Sequence, residues 1–237
     1  MSKFNSSQKI GMIVTEFPKA ADVFKEYKID FCCGGDRPLI TAIIEQGLNE
    51  TEILDRVNNL YEKFANDLAS KDKNWQEAPL GELIDHILNK HHAYLWAELP
   101  KISFLTTTIL RVHGKNHPKL SKVHKLFHTI KMELEAYLTK EETIQYPAIN
   151  KYENSSAEAD LAEATGIIYE LQEEHMGAGD ILKELRIITN DYHVPADGCG
   201  TYQSTYAKLQ EMESDLFQHI HLENNILFPR LFELRKV

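Results

Sequence analysis

The sequence has little cysteine, little glycine or proline, and too few positive charges to balance its negative ones. Its three cysteines, Cys32, Cys33 and Cys199, are odd in number with two adjacent, so they cannot form a disulfide framework within the chain. That pattern belongs to a reducing compartment, where thiols are kept for chemistry or packing. With 26 Lys and Arg against 36 Asp and Glu, a net charge of −10 and no long basic run, the chain lacks the positive stripe with which proteins track nucleic-acid phosphates. No apolar stretch approaches the length of a bilayer crossing. The opening residues MSKFNSSQKIGMIVTEFPKA carry no apolar core followed by a small-residue cleavage site. A cytoplasmic protein without nucleic-acid or membrane partners is expected. No alternating polar–apolar run is sustained, which excludes a sheet-built core, and nothing repeats at a fixed period.

What is present is ordinary globular composition, 43% hydrophobic and 26% charged, with long stretches rich in Leu, Ile, Ala, Glu and Lys. The chain reads as all-α. Residues 1–72 form a small helical N-terminal domain, with short helical pieces broken at Pro18, Gly34-Gly35 and Gly47. The polar stretch from Ala69 to Pro79 separates it from residues 79–237, where four long periodic segments are predicted. They run from Pro79 to about Val112 with a kink at Pro100, from Lys119 to Asn150 with Pro147 disturbing the end, from Ala157 to Thr189, and from Thr201 to Glu233. Loop-like connections join them, so an antiparallel four-helix bundle is expected. The second and fourth segments share a layout. Tyr137-Leu-Thr-Lys-Glu141 precedes Tyr146-Pro147, as His219-Ile-His-Leu-Glu223 precedes Phe228-Pro229.

Ionisable groups interrupt the apolar stripes of these segments. On the fourth, Leu209, Met212 and Leu216 lead into His219 and Glu223, then Ile226 and Leu227; His221, turned about 200° from His219, faces away. On the third, His175 lies between Leu171 and Ala178. On the second, Val123, Phe127, Ile130 and Leu134 continue into Tyr137, Glu141 and Gln145. On the first, His91 and His92 both lie near the stripe of Ile84, Leu88, Leu95 and Leu99, and periodicity does not choose between them. A buried, unpaired carboxylate costs several kcal/mol, so such groups are paired or hold a cation. One buried His or Glu is more often a hydrogen-bonded core residue than a ligand. Several converging between helices are a donor set for non-haem iron, manganese or zinc. The ferritin-like Glu-x-x-His pair is missing, and the His-x-x-x-Glu spacing favours a haemerythrin-like arrangement. The other histidines, His86, His113, His117, His124, His128, His193 and His221, are expected at surface or loop positions.

The N-terminal segment carries Tyr27-Lys-Ile-Asp-Phe-Cys-Cys-Gly-Gly35, read as a flexible, open turn at which Cys32 and Cys33 either approach a metal, a thiol or a partner, or pack as small residues at a helix end. This segment resembles the signature of the ScdA-type N-terminal domain. Glu174-His175-Met-Gly-Ala-Gly179 and His219-Ile-His-Leu-Glu-Asn-Asn-Ile-Leu-Phe-Pro229 resemble the haemerythrin-like domain that follows it. The combination is similar to the Repair of Iron Centres family over nearly the whole chain.

The resemblance implies a cytoplasmic homodimer with a non-haem di-iron centre, two Fe per chain. It implies repair of iron–sulfur clusters damaged by oxidative or nitrosative stress, with iron supplied to the damaged client proteins. An iron-donating repair protein is expected rather than a turnover enzyme; the alternatives are nitric oxide reduction, or oxygen or nitric oxide sensing. Carried over residue by residue, the metal ligands are His92, Glu141, His175, His219 and Glu223, with both glutamates bridging. One position departs: Tyr137 stands where the family has a histidine ligand. Three roles are open to it: an ionised ligand, a protonated donor beside the metal, or a space-filler whose place as ligand Glu133 takes. The second is the one expected.

Overall fold

The computed structural model of the chain describes residues 2–65 and 73–235. Of the expected linker from Ala69 to Pro79, residues 69–72, and with them the expected domain end at 72, lie outside the described residues. Every regular element among the described residues is helical, apart from a β-bridge between Lys9 and Pro38. The fold is all-α. The chain divides into two compact units, Met1–Pro79 with Ile220–Val237, and Leu80–His219.

The first unit holds α1 (Ile10–Glu16), α2 (Ala20–Glu26), α3 (Leu39–Gln46) and α4 (Glu50–Ala65), together with α12 (Phe228–Leu234). Its core is Phe4, Ile10, Ile13, Phe24, Phe31, Ile53, Val57 and Leu231, all buried. The breaks between these short helices lie where glycine and proline predict them. Gly47 ends α3 with φ 63°, a left-handed conformation glycine adopts without steric cost. Asn58 clamps the N-terminal segment, accepting from the Phe4 N–H at 2.8 Å and donating to its carbonyl at 3.0 Å. Arg230 on α12 donates to the carbonyls of Trp75 (2.8 Å) and Ala78 (2.6 Å).

The second unit holds α5 (Leu80–His86), α6 (Ala93–His113), α7 (Lys119–Lys140), α8 (Tyr146–Ser155), α9 (Glu158–Thr165), α10 (Ile168–Thr189) and α11 (Gly200–Leu222) as far as His219. Contacting pairs fix the directions. His92 meets His219 at one end of α6 and α11, and His113 meets Cys199 at the other. Thr107 meets His124 across α6 and α7, while Lys140 reaches Glu170 and Lys122 reaches Glu184 across α7 and α10. Each pairing is antiparallel, as the short connections require. The predicted stripes are the core: Leu95, Leu99, Val123, Phe127, Ile130, Leu134, Leu171, Leu182, Leu185, Leu209, Met212 and Leu216 are all buried.

One detail differs from expectation. The third long segment is not continuous. Gly166 ends α9 and Ile167 sits at φ −107°, outside helical values, because glycine is a poor helix former. Pro100 lies inside α6, which continues through it as one helix.

Candidate metal centre

Three of the bundle's long helical segments widen into a π turn where they carry an ionisable residue inward. These turns are Ile87–His92 between α5 and α6, Glu141–Gln145 between α7 and α8, and Glu223–Leu227 between α11 and α12. Single π turns inside α-helices cluster at functional sites, since the extra residue re-aims a side chain and frees backbone carbonyls. At the first turn the carbonyl of Asp85 accepts from the Asn89 side chain at 2.7 Å. At the other two an aromatic–proline step follows directly, Tyr146-Pro147 and Phe228-Pro229. Proline donates no N–H and its ring collides with the carbonyl four residues back, which widening the turn relieves.

The second unit brings four of the expected residues together. His92 Nε2 lies 3.3 Å from Glu141 Oε2 and 3.3 Å from His219 Nε2. His219 Nε2 is 3.9 Å from the same carboxylate oxygen. The other oxygen, Oε1, faces His175 Nε2 at 3.4 Å. Glu141, His175 and His219 are 0% exposed and His92 is 1%. The donor atoms of His92, Glu141 and His219 all fall within 4.8 Å of one another, a set able to hold a metal ion. One carboxylate is thus divided between two groups of imidazoles.

The electrostatics suit a cation. Burial opposes a charged Glu141, yet the hydrogen bonds and charges of His175 and His92 outweigh it and hold the carboxyl below its usual range. Burial, with the neighbouring charges of His92, His91 and His175, pushes His219 well below the ordinary imidazole value. A neutral imidazole and an ionised carboxylate are the forms that bind metal.

Packing decides what periodicity left open on the first segment. His92 faces the cluster, whereas His91 turns to Asp215, with Nδ1 2.9 Å from Oδ1, and stacks on the back of His219 at 5.8 Å between ring centroids. Three supporting residues were not anticipated. Glu142 lies 2.9 Å from His92 Nδ1 and accepts from Trp96 Nε1 at 2.8 Å, and the Tyr146 hydroxyl lies 3.3 Å from His92 Nε2. The i, i+4 spacing of His92 and Trp96 is the signal that marks this group in the sequence. Such partners fix the tautomer and angle of a ligating ring. Tyr137 is buried, its ring edge-on to His175 at 5.6 Å between centroids. Glu133 is exposed on α7, so the alternative in which it replaces Tyr137 as ligand has no support.

In the first unit, Glu223 is 0% exposed. It follows His219 by one turn of the same continuous chain of helix, and the i, i+4 relation places it on the same face. His221 was expected to face away toward the surface. It is buried, because Phe31 of the N-terminal segment packs against it at 5.9 Å between ring centroids. That covering segment is the cysteine motif itself. Asn225 donates to the carbonyls of Phe31 (3.2 Å) and Cys32 (3.0 Å). The Asp30 carboxylate accepts from the N–H of Cys32 (3.2 Å) and of Gly34 (3.0 Å). The turn is tight rather than open: a Cβ at Gly35 would lie 2.6 Å from the Phe31 carbonyl and 2.4 Å from the Asn225 side chain. Neither thiol is in a disulfide, and the two sulfurs lie 3.8 Å apart. Cys32 is buried and burial pushes its thiol well up, while Cys33 is half-buried. Asp30, Cys32 and Cys33 form a further cluster with metal-ligand spacing.

No helix among the described residues is long and apolar enough to cross a membrane. Residues 83–231 match the hemerythrin HHE cation binding domain, and residues 6–61 match ScdA_N, a domain of unknown function (DUF542). The chain is 34% identical to the probable iron-sulfur cluster repair protein of Haemophilus influenzae, over 95% of this chain and 97% of that one. It is 32% identical to the iron-sulfur cluster repair protein YtfE of Escherichia coli O157:H7, over 94% of this chain and 96% of the relative. With YtfE of Cronobacter sakazakii the identity is 34%, over 94% and 95%.

Proposed function

We propose, since this chain belongs to the family of iron–sulfur cluster repair proteins with a hemerythrin HHE domain, that it is a non-haem di-iron protein which repairs damaged clusters by supplying iron. The observation that carries the reading is Glu141, whose two oxygens face different imidazoles, His92 and His219 on one side and His175 on the other. A carboxylate so divided is suited to bridging two cations. In this reading His92, His219 and Glu141 would hold one iron and His175 and Glu141 the second, Tyr137 stays a protonated neighbour of the second, and Glu223, one helical turn after His219, is a further proposed ligand. Iron held there would supply a labile, redox-active ion whose retention depends on its oxidation state.

The chain's own residues set how firmly the iron is held. Glu142, steadied by Trp96, keeps the His92 ring aimed at Glu141. Burial excludes water and keeps the His219 lone pair unprotonated. A tyrosine in place of a sixth donor leaves the second position with fewer ligands and makes its iron easier to give up. Residues 1–72 and 79–237 act as the two functional domains, in keeping with the family matches at 6–61 and 83–231. Cys33, the more exposed of the adjacent thiols, guides iron or electrons or meets the client. The clients are iron–sulfur proteins damaged by oxidative or nitrosative stress. Cytoplasmic residence and a homodimeric state go with the same reading.

The test is single-turnover repair. Iron-loaded protein is mixed with an enzyme whose iron–sulfur cluster has been damaged by nitric oxide, and iron is followed in both. Recovery of the client should match iron lost from this protein, mole for mole. Steady nitric oxide consumption with an electron donor, without loss of iron, would instead make it a reductase and sink the donor reading.

A further inference from the structure

One group of reactive side chains lies apart from the metal cluster and plays no part in the reading above. Cys199 directly precedes α11, and its sulfur lies 3.2 Å from Nε2 of His113, the last residue of α6. Beside this pair, His117 Nε2 lies 3.0 Å from Asp197 Oδ2. The ring of Tyr202 sits edge-on to both imidazoles, 5.4 Å from His113 and 5.8 Å from His117 between centroids, and holds them in place. Cys199 is exposed, so small molecules can reach it. It stands at the open end of a helix of 23 residues, whose first N–H groups favour negative charge. Gly200 and His219 lie 19 positions apart on that helix, so the thiol is about 28 Å from the metal cluster at 1.5 Å per residue.

We propose that Cys199 is a nucleophilic thiol that forms a reversible mixed disulfide with small-molecule disulfides, with His113 as its proton partner. The other two thiols make a useful contrast. Cys32 is buried and its thiol is pushed up, which suppresses reactivity. At Cys199 the His113 hydrogen bond, with the N–H groups of Tyr202 and Thr201 assisting against a small opposing burial, brings the thiol down to about 7. A large thiolate fraction at neutral pH combined with access to solvent is what disulfide exchange requires.

The step balances without a further reagent. The Cys199 proton passes to His113, and the thiolate lone pair attacks one sulfur of the disulfide R–S–S–R. A bond from Sγ to that sulfur forms, the original S–S bond breaks, and the electron pair leaves on RS⁻, which takes the proton back from His113. Cys199 is oxidised and half of the small disulfide is reduced to RSH. The cap would record the state of the thiol pool at a distance from the iron ligands.

The test uses the full-length, iron-loaded protein. Its iodoacetamide alkylation at Cys199 is followed by peptide mass mapping across pH, and adduct formation is followed with oxidised glutathione at pH 7. A rate midpoint near 7 is expected, rising by at least about one pH unit in His113→Ala and His113→Gln. One glutathione per chain should map to Cys199, be absent in Cys199→Ser, and leave iron content unchanged. A wild-type midpoint above about 8, no change in either His113 variant, or no adduct at Cys199 would each overturn the assignment.

Discussion

The second and fourth long helical segments carry the same local layout, but the side chain one turn before the carboxylate differs. Glu141 opens a π turn closed by Tyr146-Pro147, and Glu223 opens one closed by Phe228-Pro229. Both glutamates are 0% exposed. One turn earlier stand Tyr137 and His219, also buried. The backbone device and the carboxylate are therefore common to the two segments, while the aromatic donor differs. Placement of the carboxylate belongs to the helix, and in the proposed centre the number of ligands belongs to a single side chain that can change without disturbing it.

The comparison breaks first at the carboxylate. Glu141→Ala removes the carboxylate that faces His92, His219 and His175 together. Iron per chain should fall by more than about tenfold, since even partners around a metal ligand are worth 10–100-fold in affinity. Helical circular dichroism should persist, because the apolar stripes on either side are untouched. Iron measured against protein concentration checks this; iron content close to wild type would remove Glu141 from the centre.

Much of this layout was legible in the sequence because helical periodicity and burial obey the same geometry. His175 and His219 interrupt stripes whose neighbours, Leu171, Ala178 and Leu216, are all in the core. Four elements were not legible, each for a physical reason. His91 and His92 are adjacent, and 100° per residue is too coarse to separate them when the helix locally widens to a π turn. His221 is buried by Phe31, a residue 190 positions away that no local pattern reveals. The break at Gly166 is a weak propensity effect, which tertiary context settles. The glycines after Cys33 looked like a source of freedom, yet Gly35 is required by close approach of Asn225 and of the Phe31 carbonyl.

A sharper comparison makes the two segments alike. In Tyr137→His the second segment acquires the donor that His219 gives the fourth. The new imidazole lies one turn before Glu141, where the phenol now packs against His175. Release of iron to a chelator should slow by roughly tenfold, the low end of what a group at a metal site contributes, and iron per chain should rise. Wild-type protein should show no tyrosinate-to-iron absorption in the visible. A band in wild type that vanishes in the variant would make Tyr137 a ligand, and an unchanged release rate would make it a space-filler.

The smallest expected effect concerns the prolines that the two segments share. Two causes for the π turn at Glu141–Gln145 are physically distinct. Pro147 could impose it, by lacking an N–H for the carbonyl of Thr143 and by crowding that carbonyl. Alternatively, the burial of Glu141 between His92 and His175 imposes it, and proline is simply tolerated there. The turn at Ile87–His92 separates the two. It has the same form, ends on a buried ligand candidate, and is followed by no proline until Pro100. Widening therefore does not need proline, and what the three turns have in common is the inward-facing ionisable residue. Pro147→Ala restores an N–H and removes the ring. It should change stability by no more than about 1 kcal/mol, less than the roughly 3 kcal/mol of a proline strained inside a regular helix, and iron content by less than twofold. If proline were the cause, the segment would relax to an α-helix. Glu141 would then turn by about 100° relative to the residues beyond it, and iron would be lost as fully as in Glu141→Ala. Melting temperature and iron per chain, measured side by side for Pro147→Ala and Pro229→Ala, distinguish the two causes.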